Sequence, residues 1–447
     1  MPNSTSHSSE DDTSSDDHIA QQIENDFDDR FAAAMDAQIE GQLLGTSRCR
    51  RRPGGTRRYI ERNREEAHQR LVADYFSDAP VYTDAMFRRR YRMRRPLFLR
   101  IVEALGQWSP YFRQRTDALN KKGFSPLQKC TAAMRMLAYG CAADSLDESL
   151  RIGASTVLES LKKFVKGVNE VFGPDYLRRA TPGDIQQKLQ MGQAHGFPGM
   201  LGSLDCMHWE WKNCPTAWQG QFTRGDYGVA TVMLEAVATH DLWIWYAFFG
   251  VAGSNNDINV LNQSPLFTKV LQGRAHPVQF VVNGKQYKMG YYLVDEIYPE
   301  WAAFVKSITA PQSARDKLFA KKQEAARKDV ERAFGALQSR FAILRYAARY
   351  WHRSTLSEIM YACIILHNMI VENERDSYTH AGRYDLNYDQ GGDHPIPEAE
   401  YHQGPIDGFN NLLERNDDIR DRSKHIRLKK DLIQHIWDRF GGGQSNN

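Results

Sequence analysis

The sequence predicts an α/β protein in which an all-helical unit precedes a unit built around a mixed sheet. Apolar residues recur at helical spacing between residues 96 and 172. From residue 199 the pattern changes to short apolar segments of strand length, two of which end in an aspartate. A long amphipathic segment, 325–341, follows the last of these strands and predicts a helix packed on the sheet.

The helical unit is predicted to span residues 84–195 and to contain a helix-turn-helix. Residues 145–153 form a short helical segment that we expect Gly153 to end, and Ser155 is the expected N-cap of a longer helix. The longer helix carries a basic face made of Lys162, Lys163 and Lys166. This order is typical of helix-turn-helix units that bind DNA, and an ordinary helical bundle is the alternative.

The strand-rich unit is predicted to span residues 196–374. Residues 199–205 form its first strand, and residues 231–239 and 244–251 are expected to pair as a hairpin beside it. Residues 291–295 form a further apolar strand that ends in an acid. Functional side chains gather at such strand ends, because the backbone is rigid there and the rim of the sheet is open.

The two ends of the chain have unusual compositions. Residues 1–45 hold eleven Asp/Glu and a single Arg, which predicts a disordered acidic tail. A basic linker, 46–83, follows, with nine arginines against three glutamates between Arg48 and Arg70. Such clusters are typical of phosphate contacts or of nuclear import signals, and a solvated linker is the alternative.

The C-terminal segment, 375–447, is predicted to be a loose tail that carries one amphipathic helix. The apolar positions of this helix are Leu428, Leu432, Ile436 and Phe440, at steps of four residues.

Several functional classes are disfavoured by composition. The six cysteines form no CxxC pair, which argues against a disulfide framework and a structural zinc site. No run of about 20 apolar residues is present, so we expect no membrane span and an intracellular protein. The chain also lacks a G-x-S-x-G elbow and a Walker-type phosphate loop.

Three acids form a candidate catalytic set: Asp205, Asp295 and Glu331. Carboxylates that converge in a cleft repel one another, and such a cluster favours the binding of Mg²⁺ or Mn²⁺. Two such cations activate a water or a 3′-hydroxyl and stabilise the leaving oxygen at a phosphodiester. The structural alternatives are a turn cap at Asp205, a loop start at Asp295 and a helical ion pair between Glu331 and Arg327.

Four motifs carry a resemblance to a known family. They are GSLDCMHW from Gly202, GSNND from Gly253, YLVDEIYP from Tyr292 and VERAFGALQSRFAIL from Val330. Together they resemble the DDE domain of PIF/Harbinger transposases, especially the plant lineage and its transposase-derived nucleases. The resemblance covers about residues 84–374, and 35 residues separate Asp295 from Glu331.

The resemblance implies an RNase H-like fold for residues 196–374. Asp205 would then lie on the first strand, Asp295 at the end of the fourth and Glu331 on a following helix. Asp257 matches a family acid that serves as an auxiliary metal ligand, so the implied ligand set for Mg²⁺ or Mn²⁺ has four acids. The sequence departs from the family at Glu296, where a small or neutral residue is usual.

A nuclease cleft also needs cations that hold the DNA backbone. The candidates outside the helix-turn-helix are Arg224, Lys328, Arg332 and Arg340. A solvated helix face is the alternative for these residues.

The predicted function is a metal-dependent DNA endonuclease and transposase that cuts element ends and joins the 3′-hydroxyl to target DNA. The alternative is a domesticated descendant that acts as a chromatin-associated or regulatory DNA-binding protein. We expect location in the nucleus, DNA as a partner, a second copy of the chain on DNA, and no membrane. The resemblance adds a Myb-like accessory protein as a further expected partner.

Overall fold

The computed structural model describes residues 60–380 and 409–441. The predictions for the acidic tail, 1–45, and for the arginines between residues 48 and 58 lie outside the described residues. The same holds for the part of the C-terminal segment between residues 381 and 408.

Helices fill the chain before the sheet, as predicted. They are α1 (Arg64–Tyr75), α2 (Asp84–Tyr91), α3 (Arg95–Trp108), α4 (Pro126–Tyr139), α5 (Ser145–Leu150), α6 (Ala154–Tyr176) and α7 (Pro182–Ala194). Capping boxes at Ser125 and Thr181, each followed by proline, fix the starts of α4 and α7. The buried faces of α3, α4 and α6 form much of the main hydrophobic core.

The connection between α5 and α6 differs from the prediction. Arg151, and not Gly153, ends α5 in the left-handed conformation, with a φ of 56°. Gly153 is extended and is the N-cap of α6, so Ser155 lies inside that helix. The helix ends two residues before Gly153 because Arg151 already closes it, with its N–H donating to the carbonyl of Asp147.

A five-stranded sheet forms the second part of the protein. Its strands are β1 (Met200–Glu210), β2 (Thr231–Ala238), β3 (Ile244–Ala252), β6 (Tyr291–Val294) and β7 (Phe304–Lys306), and β4 (Phe280–Val282) and β5 (Lys285–Tyr287) form a separate hairpin. The sheet order is β3-β2-β1-β6-β7. The β1/β2 and β2/β3 pairs are antiparallel, whereas β1/β6 and β6/β7 are parallel. The predicted hairpin is therefore confirmed as β2 and β3.

The first strand is longer than predicted. The sequence analysis ends it at Asp205, but β1 continues to Glu210. The reason is the antiparallel ladder with β2, in which Cys206 opposes Glu235 and Glu210 opposes Thr231. Asp205 therefore lies in the middle of a strand, paired with Ala236 of β2.

Further helices lie between the strands and after the last strand of the sheet. They are α8 (Gln219–Phe222), α9 (Asp257–Gln263), α10 (Thr268–Leu271), α11 (Ala314–Arg340), α12 (Arg353–His380), α13 (Phe409–Arg420) and α14 (Arg422–Phe440). The predicted helix over 325–341 is the second half of α11, which begins earlier because Ser313 caps it. Val330, Phe334 and Leu337 are buried, as the amphipathic pattern predicts.

Helix α12 lies in the core. Its segment Arg353–Arg375 is long and apolar enough to cross a bilayer, but 78% of the most apolar window is buried inside the protein. Asn368 ties this helix to β3, because its side chain accepts from the N–H of Ile244 and donates to the carbonyl of the same residue.

The predicted C-terminal helix is present as α14, but it is docked and not loose. Leu428, Leu432 and Ile436 are buried in a second core with Phe197 and Phe319. The carboxylate of Asp431 anchors the helix to β5, since it accepts from Lys285 at 2.7 Å and from the hydroxyl of Tyr287.

Candidate active site

Four acids reach one region of the sheet from four different elements. Asp205 lies on β1, Asp257 is the first residue of α9, Asp295 directly follows β6 and Glu331 lies on α11. Because β6 is the parallel neighbour of β1, Asp205 and Asp295 come from adjacent strands. Helix α11 packs across β1 and supplies the acid from the layer above it.

The electrostatics show that these acids interact. The pKa of Asp205 is raised to about 6, first by burial and also by the charges of Asp257 and Glu331, while the N–H of Cys206 and the charge of Arg327 oppose the rise. Burial also raises the pKa of Asp257, with a contribution from the charge of Asp295. The four carboxylates therefore form one repelling group, in which Asp205 and Asp257 are half-buried and Asp295 and Glu331 are exposed.

Arg327 is the cation nearest to this group. Its guanidinium lies 2.8 Å from the carboxylate of Glu331, one helical turn away, and 3.7 Å from that of Asp205. The ion pair between Glu331 and Arg327, which the sequence predicts as the structural alternative, is therefore present. It exists together with the acid cluster, because the same arginine bridges two of the four acids.

The donor set fits a hard divalent cation. All four candidate ligands are carboxylates, which Mg²⁺ and Mn²⁺ prefer, and the pKa of Asp205 is raised first by burial and then by the neighbouring charges of Asp257 and Glu331. The arrangement is nevertheless open. Among residues 60–380 and 409–441, no three His, Cys, Asp or Glu side chains are grouped closely enough to hold a metal ion.

A fifth acid, Glu235, was missed by the sequence analysis. It is completely buried on β2, directly opposite Cys206, and burial raises its pKa to about 7. The hydroxyl of Ser264 donates to its carboxylate, and Tyr246 lies 2.7 Å from the same hydroxyl. The available signal is a single acid in the otherwise apolar segment TVMLEAVA.

Glu296, the departure from the family pattern, points away from the acid group. Its carboxylate accepts from the hydroxyl of Thr309 at 3.0 Å, and its N–H donates to the carboxylate of Asp295 at 2.7 Å. The extra acid therefore supports Asp295 through its backbone.

The predicted DNA contacts occupy two places. Lys162, Lys163 and Lys166 are exposed on α6, and Lys166 lies 3.8 Å from Glu170. Arg224 pairs with Asp226 at 2.6 Å, and its charge acts on Asp257, which puts it beside the acid group.

The helix α11 carries the other three candidates. Lys328 is exposed and lies 3.6 Å from Glu324, and the guanidinium of Arg332 contacts Asp329. Arg340 differs from the prediction, since its side chain is largely buried and lies 2.9 Å from His367. It stabilises the packing of α11 on α12.

Comparison with known proteins finds similarity to plant transposon proteins. The model of a plant transposon protein matches residues 174–378, and that of a domain of unknown function matches residues 68–106. A curated relative, "Protein ALP1-like" from Arabidopsis thaliana, is 23% identical over 269 residues, which are 59% of this chain and 65% of the relative. No solved structure matches. The first match spans the four acids and shows that this part of the chain is similar to plant transposon proteins.

Proposed function

We propose that this protein is a metal-dependent DNA nuclease of the DDE type. The single observation that carries the proposal is the convergence of Asp205, Asp257, Asp295 and Glu331 from four elements onto one mutually repelling group. Repelling acids are costly to a fold, and their assembly is typical of sites that bind cations.

The sheet order supports an RNase H-like fold. Three antiparallel strands, β1 to β3, lie on one side and two parallel strands, β6 and β7, extend the sheet beyond β1. The acids lie on the first strand, after the fourth strand of this sheet and on the next long helix. This is the placement that the family resemblance implies.

The acids and the arginines of the site have different proposed roles. Asp205, Asp295 and Glu331 would hold the metal, with Asp257 as an auxiliary ligand. A bound divalent cation supplies an activated water or 3′-hydroxyl and stabilises the leaving oxygen. Arg224, beside Asp257, attracts the phosphate backbone, and Arg327 holds the carboxylate of Glu331 in place at 2.8 Å.

The proposed reaction has two steps. Water attacks the phosphorus at the element end, and the P–O3′ bond breaks to leave a 3′-hydroxyl. That hydroxyl then attacks a target phosphodiester, so one P–O bond forms as another breaks.

A second candidate function is DNA binding without cleavage, in a domesticated descendant. Arg327 favours it, because one guanidinium already pairs with two of the acids. An acid group that is partly neutralised by the protein itself can persist in a fold that no longer binds metal.

A cleavage assay distinguishes the two functions. The substrate is a labelled duplex that carries the ends of the source element, incubated with Mg²⁺ or Mn²⁺. Asp205→Asn, Asp295→Asn and Glu331→Gln should each abolish cleavage and leave DNA binding intact. The matched control is Glu296→Gln, because this exposed acid is adjacent to Asp295 but points to Thr309. Cleavage by Glu331→Gln at the wild-type rate would refute the nuclease assignment.

A further inference from the structure

The segment 345–353, between α11 and α12, runs beside the end of β1. The N–H of Ala348 donates to the carbonyl of Glu210 at 2.8 Å, and the N–H of Lys212 donates to the carbonyl of Ala348 at 3.0 Å. Trp211 and Ala348 form an isolated parallel bridge. The segment is thus an extension of the sheet at the far end of the strand that carries Asp205.

Side chains hold the backbone of this segment as well. The buried indole N–H of Trp209 donates to the carbonyl of Tyr346 at 3.0 Å, and that of Trp211 donates to the carbonyl of Tyr350 at 2.8 Å. The amide of Asn213 donates to the carbonyl of Arg349 at 2.6 Å. With its carbonyls fixed, the segment presents its outward side chains in set directions.

Two of those outward side chains are large aromatic groups. Tyr346 is 55% exposed and Trp351 is 48% exposed. The ring of Tyr346 lies against Gly140, where an added Cβ would come within 2.7 Å of its Cδ2. Next to it, Tyr139 is 40% exposed and has the guanidinium of Arg92 5.3 Å from its ring centre. Exposed aromatic rings on a rigid backbone are typical of binding surfaces.

The surface is also strongly basic. The chain has no acid between Glu331 and Glu358, three arginines lie in the segment itself, Arg345, Arg349 and Arg353, and the exposed acid at the adjoining strand end is Glu210. Arg345 and Arg349 are exposed, as is Lys212 on the neighbouring strand end. In the part of the chain that the structure describes, none of these three cations pairs with a carboxylate. They are therefore available to neutralise phosphates.

We propose that segment 345–353 and the adjoining end of β1 bind single-stranded DNA. Arg345, Arg349 and Lys212 contact the phosphates, and Tyr346 and Trp351 stack on unpaired bases. Single strands are favoured over duplex because base faces are accessible to aromatic side chains only when the bases are unstacked. A protein partner fits less well, since the three cations Arg345, Arg349 and Lys212 outnumber the single adjoining acid, Glu210, and complement a polyanion.

The position of the surface deepens the proposed nuclease function, on which it rests. Asp205 and Glu210 are five residues apart on β1, so the surface begins roughly 17 Å from the acid group at about 3.3 Å per residue. Duplex DNA rises about 3.4 Å per nucleotide, so this distance corresponds to about five nucleotides of duplex, and an extended single strand spans it with fewer. The surface would therefore hold the strand that becomes unpaired next to the cleavage site.

The test is a binding measurement that does not depend on cleavage. Fluorescence anisotropy with the full chain in EDTA compares a labelled 20-nucleotide single strand with a blunt duplex of the same sequence. We expect Tyr346→Ala and Trp351→Ala each to weaken single-strand binding roughly tenfold and to change duplex binding much less. Trp351→Phe should keep most of the affinity, whereas Trp351→Leu should lose it, because stacking needs a π face.

The cations have their own readout and control. The double variant Arg345→Ala/Arg349→Ala should have a shallower slope of log affinity against log salt concentration. The expected change in slope corresponds to the loss of about two phosphate contacts. Lys317→Ala, an exposed lysine on α11, is the matched control and should change neither slope nor affinity. Quenching of tryptophan fluorescence by the single strand should fall in Trp351→Phe, which tests stacking in a variant with minimal structural change.

Two results would overturn the proposal. One is single-strand affinity equal to that of the wild type in the double variant Tyr346→Ala/Trp351→Ala. This result would overturn the proposal even if the surface binds a protein partner. The other is equal affinity of Trp351→Phe and Trp351→Leu, which would exclude stacking. A chain that binds single strands through this surface but does not cleave would refute only the nuclease function.

Discussion

The buried Glu235 gives the sharpest prediction about stability. It is completely buried on β2, and its carboxylate accepts from Ser264. Burial raises its pKa from 4.5 to about 7, and the charge of Asp257 adds to the rise. Replacing it with the uncharged isostere in Glu235→Gln should therefore stabilise the protein at alkaline pH.

The sign and size follow from linkage. Between pH 4.5 and about pH 7, folded Glu235 keeps a proton that the unfolded chain has lost. The folded state binds more protons there, so the free energy of unfolding falls as the pH rises through this window. The fall is on the order of 3 kcal/mol once the pH exceeds 7. The glutamine variant cannot ionise and should not show it.

Urea unfolding in EDTA, followed by tryptophan fluorescence at pH 4.5, 6 and 8, measures the difference. We expect the unfolding free energy of Glu235→Gln relative to wild type to rise by about 3 kcal/mol between pH 4.5 and 8. Glu210→Gln, an exposed acid at the end of β1, is the control and should show no such change. A difference for Glu235→Gln that stays constant across this range would refute the assignment of a buried, protonated carboxyl.

Three further predictions concern other parts of the chain. Replacing Lys162, Lys163 and Lys166 with Ala should lower duplex affinity and flatten its salt dependence, and an unchanged slope would place α6 away from DNA. Leu432→Ala should cost about 2–5 kcal/mol in urea unfolding, because Leu432 is completely buried against the second core; a wild-type midpoint would mean that α14 is not docked in solution. A fluorescent fusion with Arg50, Arg51, Arg52, Arg57 and Arg58 changed to Ala should lose nuclear accumulation, and accumulation equal to wild type would assign the import signal elsewhere.

Local patterns predicted the elements well. The apolar face of α11, with Val330 and Leu337, and the hairpin of β2 and β3 follow directly from spacing that a single segment contains. The candidate acids on β1 and after β6 were found in the same way, as charges that interrupt or end apolar strands. The pairing of β1 with β6 over some 90 residues depends on the whole fold, and only the family resemblance implied it.

The features that the sequence analysis did not predict depend on contacts between segments that are distant in the chain. β1 runs past Asp205 because β2 offers a ladder partner for every residue to Glu210. Segment 345–353 has no strand pattern of its own, and its extended form depends on the side chains of Trp209, Trp211 and Asn213.

Arg327 shows why a local and a functional interpretation of one residue need not compete. Its spacing from Glu331 predicts a helical ion pair, which is present at 2.8 Å, yet the same guanidinium also reaches Asp205, 122 residues earlier in the chain. One arginine does not neutralise the group, because its single positive charge pairs with only Asp205 and Glu331 among the four acids. An excess of negative charge therefore persists around a fixed arginine. That residual charge is the physical reason to expect affinity for a divalent cation at this site.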